Sequence, residues 1–188
     1  LEQAGRKLPL IQRMLYYWAF ELAKKYKVEK RTKWYEFRHR IADKLIYSKW
    51  RAAIGGNFDI VVSGGSALQS HMAAFFSAIG MPVFEGYGMS ETSPVIAVMN
   101  RHKGGREFGT VGQPLEGVEV KIGENNEILC RGHNVMLGYY KDPELTAQVI
   151  DKDGWLHTGD TGKMSPDGAL TITGRLKNIF KSSFGKYI

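Results

Sequence analysis

The chain has 188 residues, 43% of them apolar and 24% charged, which is enough length for a real core and the composition of an ordinary globular protein. One cysteine, Cys130, excludes an intrachain disulfide and fits a reducing compartment; no stretch has the unbroken apolar length of a membrane span, and no start resembles a secretory signal, so a cytoplasmic location is expected. The net charge of +7 is concentrated in Leu1 to Arg51, which hold 14 Lys/Arg against 5 Asp/Glu, so the basic character belongs to the first third.

That third reads as two amphipathic helices. Leu8, Ile11, Leu15, Trp18, Leu22 and Tyr26 recur at helical spacing, as do Trp34, Phe37, Ile41 and Leu45, with the charged stretch Lys27 to Lys33 between the two sets. Cations mixed with Tyr16, Tyr17, Trp18, Phe20, Trp34, Tyr35 and Phe37 suit peripheral contact with an anionic membrane surface. A solvated basic face over an aromatic core explains the pattern equally well, and nucleic acid, which would use similar ingredients, is the disfavoured partner. Gly55-Gly56-Asn57 ends the helical region, and Asp59 to Val62 follows as a buried-type strand. Next comes a helix with Met72, Phe75, Phe76 and Ile79 on one face, closed by Gly80 at a C-cap, and then the strand Met81 to Phe84. This is a βαβ unit, whose strands should be parallel and should bring the Ser63-Gly64-Gly65 loop and the Tyr87 loop to one sheet edge.

Beyond Pro94 the pattern changes to short strands divided by glycine, at Val95 to Met99, Val118 to Ile122, Glu127 to Cys130 and Leu170 to Thr173. A small antiparallel sheet or barrel is expected. Asp142-Pro143-Glu144 opens a helix through about Ile150, with Asp142 as N-cap and proline in the first turn. Ser165 to Gly168 is a turn. The fold class is therefore α/β, a parallel βαβ layer with helices followed by a β-rich subdomain. The expected divisions are residues 1–57, 58–100, 101–176 and 177–188.

The most informative segment is Phe84 to Pro94, Phe-Glu-Gly-Tyr-Gly-Met-Ser-Glu-Thr-Ser-Pro. Gly86 and Gly88 leave the backbone around Tyr87 unhindered, so a flat ring can be presented to a flat ligand such as a purine. Ser90 and Glu91 add a hydroxyl for a phosphate oxygen and a carboxylate for Mg²⁺. Together these point to a nucleoside triphosphate. Asp160 lies in Thr-Gly-Asp-Thr-Gly, read as a turn, where a carboxylate can accept from both hydroxyls of a ribose; a cap on its own backbone is the plainer role. Arg175 can reach ribose or phosphate oxygens, or form a surface ion pair. His157 and His71 have no evident proton to take and read as structural.

The segment resembles the Tyr-Gly-x-Thr/Ser-Glu signature of the adenylate-forming enzymes, which include acyl-CoA synthetases, luciferase-like enzymes and peptide-synthetase adenylation domains. Val62 to Leu68, Arg131 to Tyr140, Gly154 to Gly162 and Gly174 to Lys181 resemble further motifs of that family in the expected order. The resemblance implies a large amino-terminal domain of the acyl-CoA synthetase type. It also implies roles: Gly65, Ser66 and Ala67 line the adenine and acyl-carboxylate pocket, Glu85, Gly86, Tyr87 and Gly88 face the base, and Ser90 meets the α-phosphate. Glu91 holds Mg²⁺, Asp160 holds the ribose, Arg175 meets a ribose or phosphate oxygen, and Lys177 is the hinge. Ser90 and Glu91 are the catalytic candidates. The implied ligands are ATP or AMP, Mg²⁺, a fatty acid, and coenzyme A as co-substrate.

The implied reaction is ATP-dependent activation of a carboxylic acid to an acyl-adenylate, followed by transfer to coenzyme A. General similarity of the first third, and of the ending Phe180 to Ile188, points to the long-chain fatty-acid class. An adenylation domain serving a carrier protein, or a non-catalytic lipid-binding module, are the alternatives. The family's Ser/Thr/Gly-rich phosphate loop and its carboxy-terminal lysine do not occur here, and Phe184 stands where relatives usually carry glycine. The chain also starts without Met. It is expected to be an internal segment of a longer enzyme and inactive alone.

Overall fold

The computed structural model describes residues 6, 8–28, 31–66, 68–100 and 107–176. Two compact units make up the chain, Leu1–Phe84 with Glu107–Gly109, and Glu85–Arg106 with Thr110–Ile188. Among the described residues no helix is long and apolar enough to cross a membrane.

The first unit holds helix α1 (Leu10–Lys24), α2 (Lys33–Ala42), a π-helical turn at Asp43–Tyr47 and α3 (Ser48–Ala53). Thr32 caps α2, its hydroxyl accepting from the Tyr35 N–H at 3.2 Å. Both helical segments form where the spacing predicts them; of the first apolar set Leu22 is buried and Leu8, Trp18 and Tyr26 pack against the core, while the rest of that set and the whole second set are exposed. In α1 the buried residues are Tyr16, Ala19, Leu22 and Ala23, while Ile11 is 73% exposed and Leu15 is exposed as well. Trp34, Phe37, Ile41 and Leu45 are likewise exposed. Two small residues in α1 permit close approach, and the π turn rotates the following face so that Tyr47 and Trp50 point inward. Tyr16, Tyr47 and Phe75 surround Trp50 with ring centroids 5.0–5.7 Å away, and the Tyr47 hydroxyl donates to the Ala19 carbonyl at 2.7 Å. Burying this phenol therefore leaves no orphaned donor.

Strand β1 (Val61–Ser63), helix α4 (Ser70–Ala78) and strand β2 (Val83–Tyr87) follow, and the Val61 N–H donates to the Pro82 carbonyl at 2.9 Å. The β1 region is not the buried strand expected, because Ile60 and Val62 are exposed. Helix α4 buries Ala73, Ala74, Phe75 and Ala78, with Ile79 just beyond. Gly80 closes it as expected: at φ 86° its N–H donates to the Ser77 carbonyl, and the Met81 N–H to that of Phe76. These two bonds make a Schellman cap.

In the second unit the end of β2 pairs antiparallel with β3 (Ala97–Val98), which pairs with β4 (Gln113–Pro114). A separate antiparallel meander runs β5 (Val118–Ile122), β6 (Glu127–Gly132), β7 (Leu156–Met164) and β8 (Leu170–Arg175). Its core joins Ile128, Cys130 and Leu170 to Ile96 and Ala97, and burial pushes the Cys130 thiol pKa up, away from the reactive thiolate. Helix α5 (Pro143–Val149) starts as predicted, Asp142 accepting from the Leu145 N–H at 2.9 Å. The principal difference is β7. Thr158 to Gly162, read as a turn, lies inside a nine-residue strand.

Candidate functional site

Strand β2 carries Glu85, Gly86 and Tyr87 into the second unit. Glu85 is buried, Gly86 pairs with Val98, and Tyr87 pairs with Ala97. Gly88 then turns the chain so tightly that a Cβ there would lie 1.7 Å from the Pro94 carbonyl oxygen, so no other residue fits. Thr92 secures the turn by accepting from the Met89 N–H and donating to the Pro94 carbonyl. Ser90 and Glu91 follow in a short 3₁₀ turn, Ser90 exposed and Glu91 half-buried.

The Arg131 to Tyr140 motif is docked on this turn. The Met136 N–H donates to the Glu91 carbonyl at 2.8 Å, the Tyr139 hydroxyl to Glu91 Oε1 at 2.9 Å, and Asn134 Nδ2 to the Val95 carbonyl at 2.8 Å. Burial, and next the bond to the Glu91 carboxylate, raise the Tyr139 pKa, so the phenol stays a donor.

Asp160 is 7% exposed and engaged on both oxygens: the Tyr87 hydroxyl donates to Oδ2 and Arg175 Nε to Oδ1, each at 2.8 Å. Burial is the main reason the Tyr87 phenol sits well above its ordinary pKa, and the Asp160 carboxylate adds to it. The Arg175 side chain is 69% exposed, so this ion pair contributes about 0–1 kcal/mol and the guanidinium remains accessible to solvent and ligands. Each carboxylate oxygen accepts one bond and keeps capacity for another.

Beside this pair opens a cleft of about 510 Å³, lined in part by Glu91, Glu127, Tyr139, His157, Gly159 and Arg175. Of the residues singled out from the sequence, the structure therefore brings Tyr87, Glu91, Asp160 and Arg175 together. Gly65 and Ser66 are exposed in the first unit, Gly65 at φ 80°. Ala67 and Lys177, and Phe184 with them, lie outside the described residues. His71 is exposed on α4. Tyr139, Glu127 and His157 also line the cleft, none of them with a ligand role expected from the sequence. Tyr139 and His157 carried a signal, their places in the Arg131 to Tyr140 and Gly154 to Gly162 motifs, and Glu127 carried none.

The family model described as AMP-binding enzyme matches residues 9–140. The chain is 40% identical over 151 residues to the long-chain-fatty-acid–CoA ligase FadD15 of Mycobacterium bovis, covering 80% of this chain and 25% of that protein. With long-chain-fatty-acid–CoA ligase 5 of Rattus norvegicus it is 40% identical over 163 residues, covering 80% and 24%. Among solved structures, the O-succinylbenzoate coenzyme A synthetase of Bacillus subtilis in complex with AMP is similar, with a TM-score of 0.57 and 28% identity over 68% of this chain and 28% of that one. The chain thus spans about a quarter of the length of the curated relatives it matches. A match over most of its residues, an ordered set of motifs and a folded tyrosine–aspartate–arginine cluster agree: the chain belongs to the AMP-binding enzyme family.

Proposed function

We propose that this segment supplies the base, ribose and α-phosphate contacts of an AMP-forming acyl-CoA ligase that activates long-chain fatty acids. The observation that carries the reading is Asp160, a buried carboxylate tethered between the Tyr87 hydroxyl and the exposed Arg175 guanidinium beside the cleft. A ribose would take the remaining acceptor capacity of Asp160 once the Arg175 side chain swings outward, with Arg175 then free to hold a ribose or phosphate oxygen. Gly65, Ser66 and Ala67 would line the adenine and acyl-carboxylate pocket, and Ser90 would donate to the α-phosphate. Lys177 would serve as the hinge.

Among the described residues no cluster of three or more His, Cys, Asp or Glu side chains is placed to hold a metal. Magnesium needs less, since one or two carboxylates with phosphate oxygens and water are its usual surroundings. Glu91, with one oxygen engaged by Tyr139 and its side chain on the cleft wall, fits that ion. When bound, the ion would offset charge developing on the phosphates. In the proposed reaction the fatty-acid carboxylate attacks the α-phosphorus, pyrophosphate leaves, and the thiol of coenzyme A then displaces AMP from the acyl-adenylate.

The long-chain substrate is supported by the names of the relatives. In a full-length protein carrying this segment, ATP–pyrophosphate exchange should depend on added long-chain fatty acid, and coenzyme A should yield the acyl thioester. Exchange without thioester formation, rescued by a carrier protein, would move the protein to the other branch of the family. Peripheral membrane contact is the remaining part of the proposal, supported by the exposed Leu10, Ile11, Met14, Trp34 and Phe37 among basic residues. Absence of pelleting with phosphatidylserine vesicles at low salt would remove it.

A further inference from the structure

Asp160 reaches its partners because β7 is irregular. Opposite β6, Glu127 faces Thr161 and Leu129 faces His157, so the single residue Ile128 stands against three, Thr158, Gly159 and Asp160. Such a bulge re-aims side chains and takes backbone donors out of the ladder, and those donors need other acceptors. Two of them find side-chain acceptors. The Gly159 N–H donates to Glu127 Oε1 at 3.0 Å, and the Asp160 N–H donates to Thr158 Oγ1 at 3.1 Å. Thr158 Oγ1 in turn donates to the Ile128 carbonyl at 2.7 Å. The second Glu127 oxygen lies 2.9 Å from His157 Nδ1. A carboxylate can only accept, so Nδ1 carries the proton there. The Glu127 side chain is 14% exposed, and Gly159 is left-handed at φ 70°.

We infer that Glu127 is a positioning residue for the nucleotide site: by gripping the residues at 157 and 159 it fixes the bulge that holds the Asp160 carboxylate at ribose height. It touches no reacting atom in this role and acts through Asp160. The inference rests on the ribose reading of Asp160, which the experiment must separate from it.

The test uses a full-length protein carrying this segment, with affinities for ATP and for 2′,3′-dideoxy-ATP measured by calorimetry. The difference between the two nucleotides isolates the ribose hydroxyls. Glu127→Ala should weaken ATP about fivefold to tenfold, the value of one or two hydrogen bonds, and leave dideoxy-ATP unchanged. Glu127→Gln should stay within about twofold of wild type for both, because its amide oxygen accepts from Gly159 and its amide nitrogen donates to the other His157 tautomer. Should Glu127→Ala not fold, Glu127→Asp, which withdraws the carboxylate by one methylene, should give the same selective loss. Equal weakening of both nucleotides would show a merely structural role and overturn the inference. So would unchanged discrimination between them in Glu127→Ala. Asp160→Ala is the control: it should abolish the discrimination, and if it does not, the ribose reading itself fails and this inference goes with it.

Discussion

Glu91 is held from two sides, its backbone carbonyl by Met136 and one carboxylate oxygen by Tyr139. A neutral amide is a poorer ligand for a hard cation, so Glu91→Gln should leave AMP binding largely intact and raise the Mg²⁺ requirement for adenylation. Titrating Mg²⁺ in pyrophosphate exchange checks this, and an unchanged curve removes Glu91 as the ligand. Gly88 makes a different kind of contribution. A methyl group there meets backbone, not a side chain that can rotate away, so Gly88→Ala should cost about 1–3 kcal/mol and lower the urea midpoint. A midpoint equal to wild type would mean that the Tyr87 to Pro94 turn is looser than described. Tyr87, Glu91, Asp160 and Arg175 stand out in the sequence because each sits in a motif of a few residues, although the bonds that join them, such as that from Tyr87 to Asp160, span as many as 73 positions. Glu127 does not, since no local motif marks it and its bond to the Gly159 N–H spans 32 positions; Tyr139 is marked by its motif alone, with nothing local to record its bond to Glu91 48 positions away.

Among the elements, sequence periodicity found the helices and turned Trp18, Leu22 and Tyr26 correctly toward the core, but not Ile11, Leu15 or the set from Trp34 to Leu45. Helical spacing marks where apolar residues align, but the buried face of α1 is set by Ala19 and Ala23, small enough for Tyr47 and Trp50 to close on. The π turn at Asp43–Tyr47 then breaks the register that 3.6-residue counting assumes. Strand β7 was missed for a related reason: Gly159, Asp160 and Gly162 are turn formers in isolation, and here they are tolerated because a bulge and side-chain acceptors take over part of the ladder. The C-cap of α4, by contrast, was readable from one residue. Replacing Gly80 puts a side chain at φ 86° and its Cβ 2.9 Å from Arg51 Nη1, which itself donates to the Ile79 carbonyl. Gly80→Ala should therefore lower stability by about 1–2 kcal/mol while nucleotide affinity stays as in wild type. An unaltered melting curve would contradict the left-handed cap, and a change in affinity would tie this helix to the site.

At the level of the whole molecule, the chain belongs to the AMP-binding enzyme family and spans about a quarter of the length of the curated relatives it matches. Asp160, presented by a bulged strand and tethered by Tyr87 and Arg175, is proposed to bind the ribose of the nucleotide. ATP and AMP share that ribose and differ in their phosphates, so calorimetric titration of both against full-length wild type and Asp160→Ala is the most direct test. Losing a hydrogen bond to a charged group costs about 1.5–3 kcal/mol, so both affinities should fall together, by roughly tenfold to a hundredfold. Equal affinity of a folded Asp160→Ala protein and wild type for both nucleotides would contradict it.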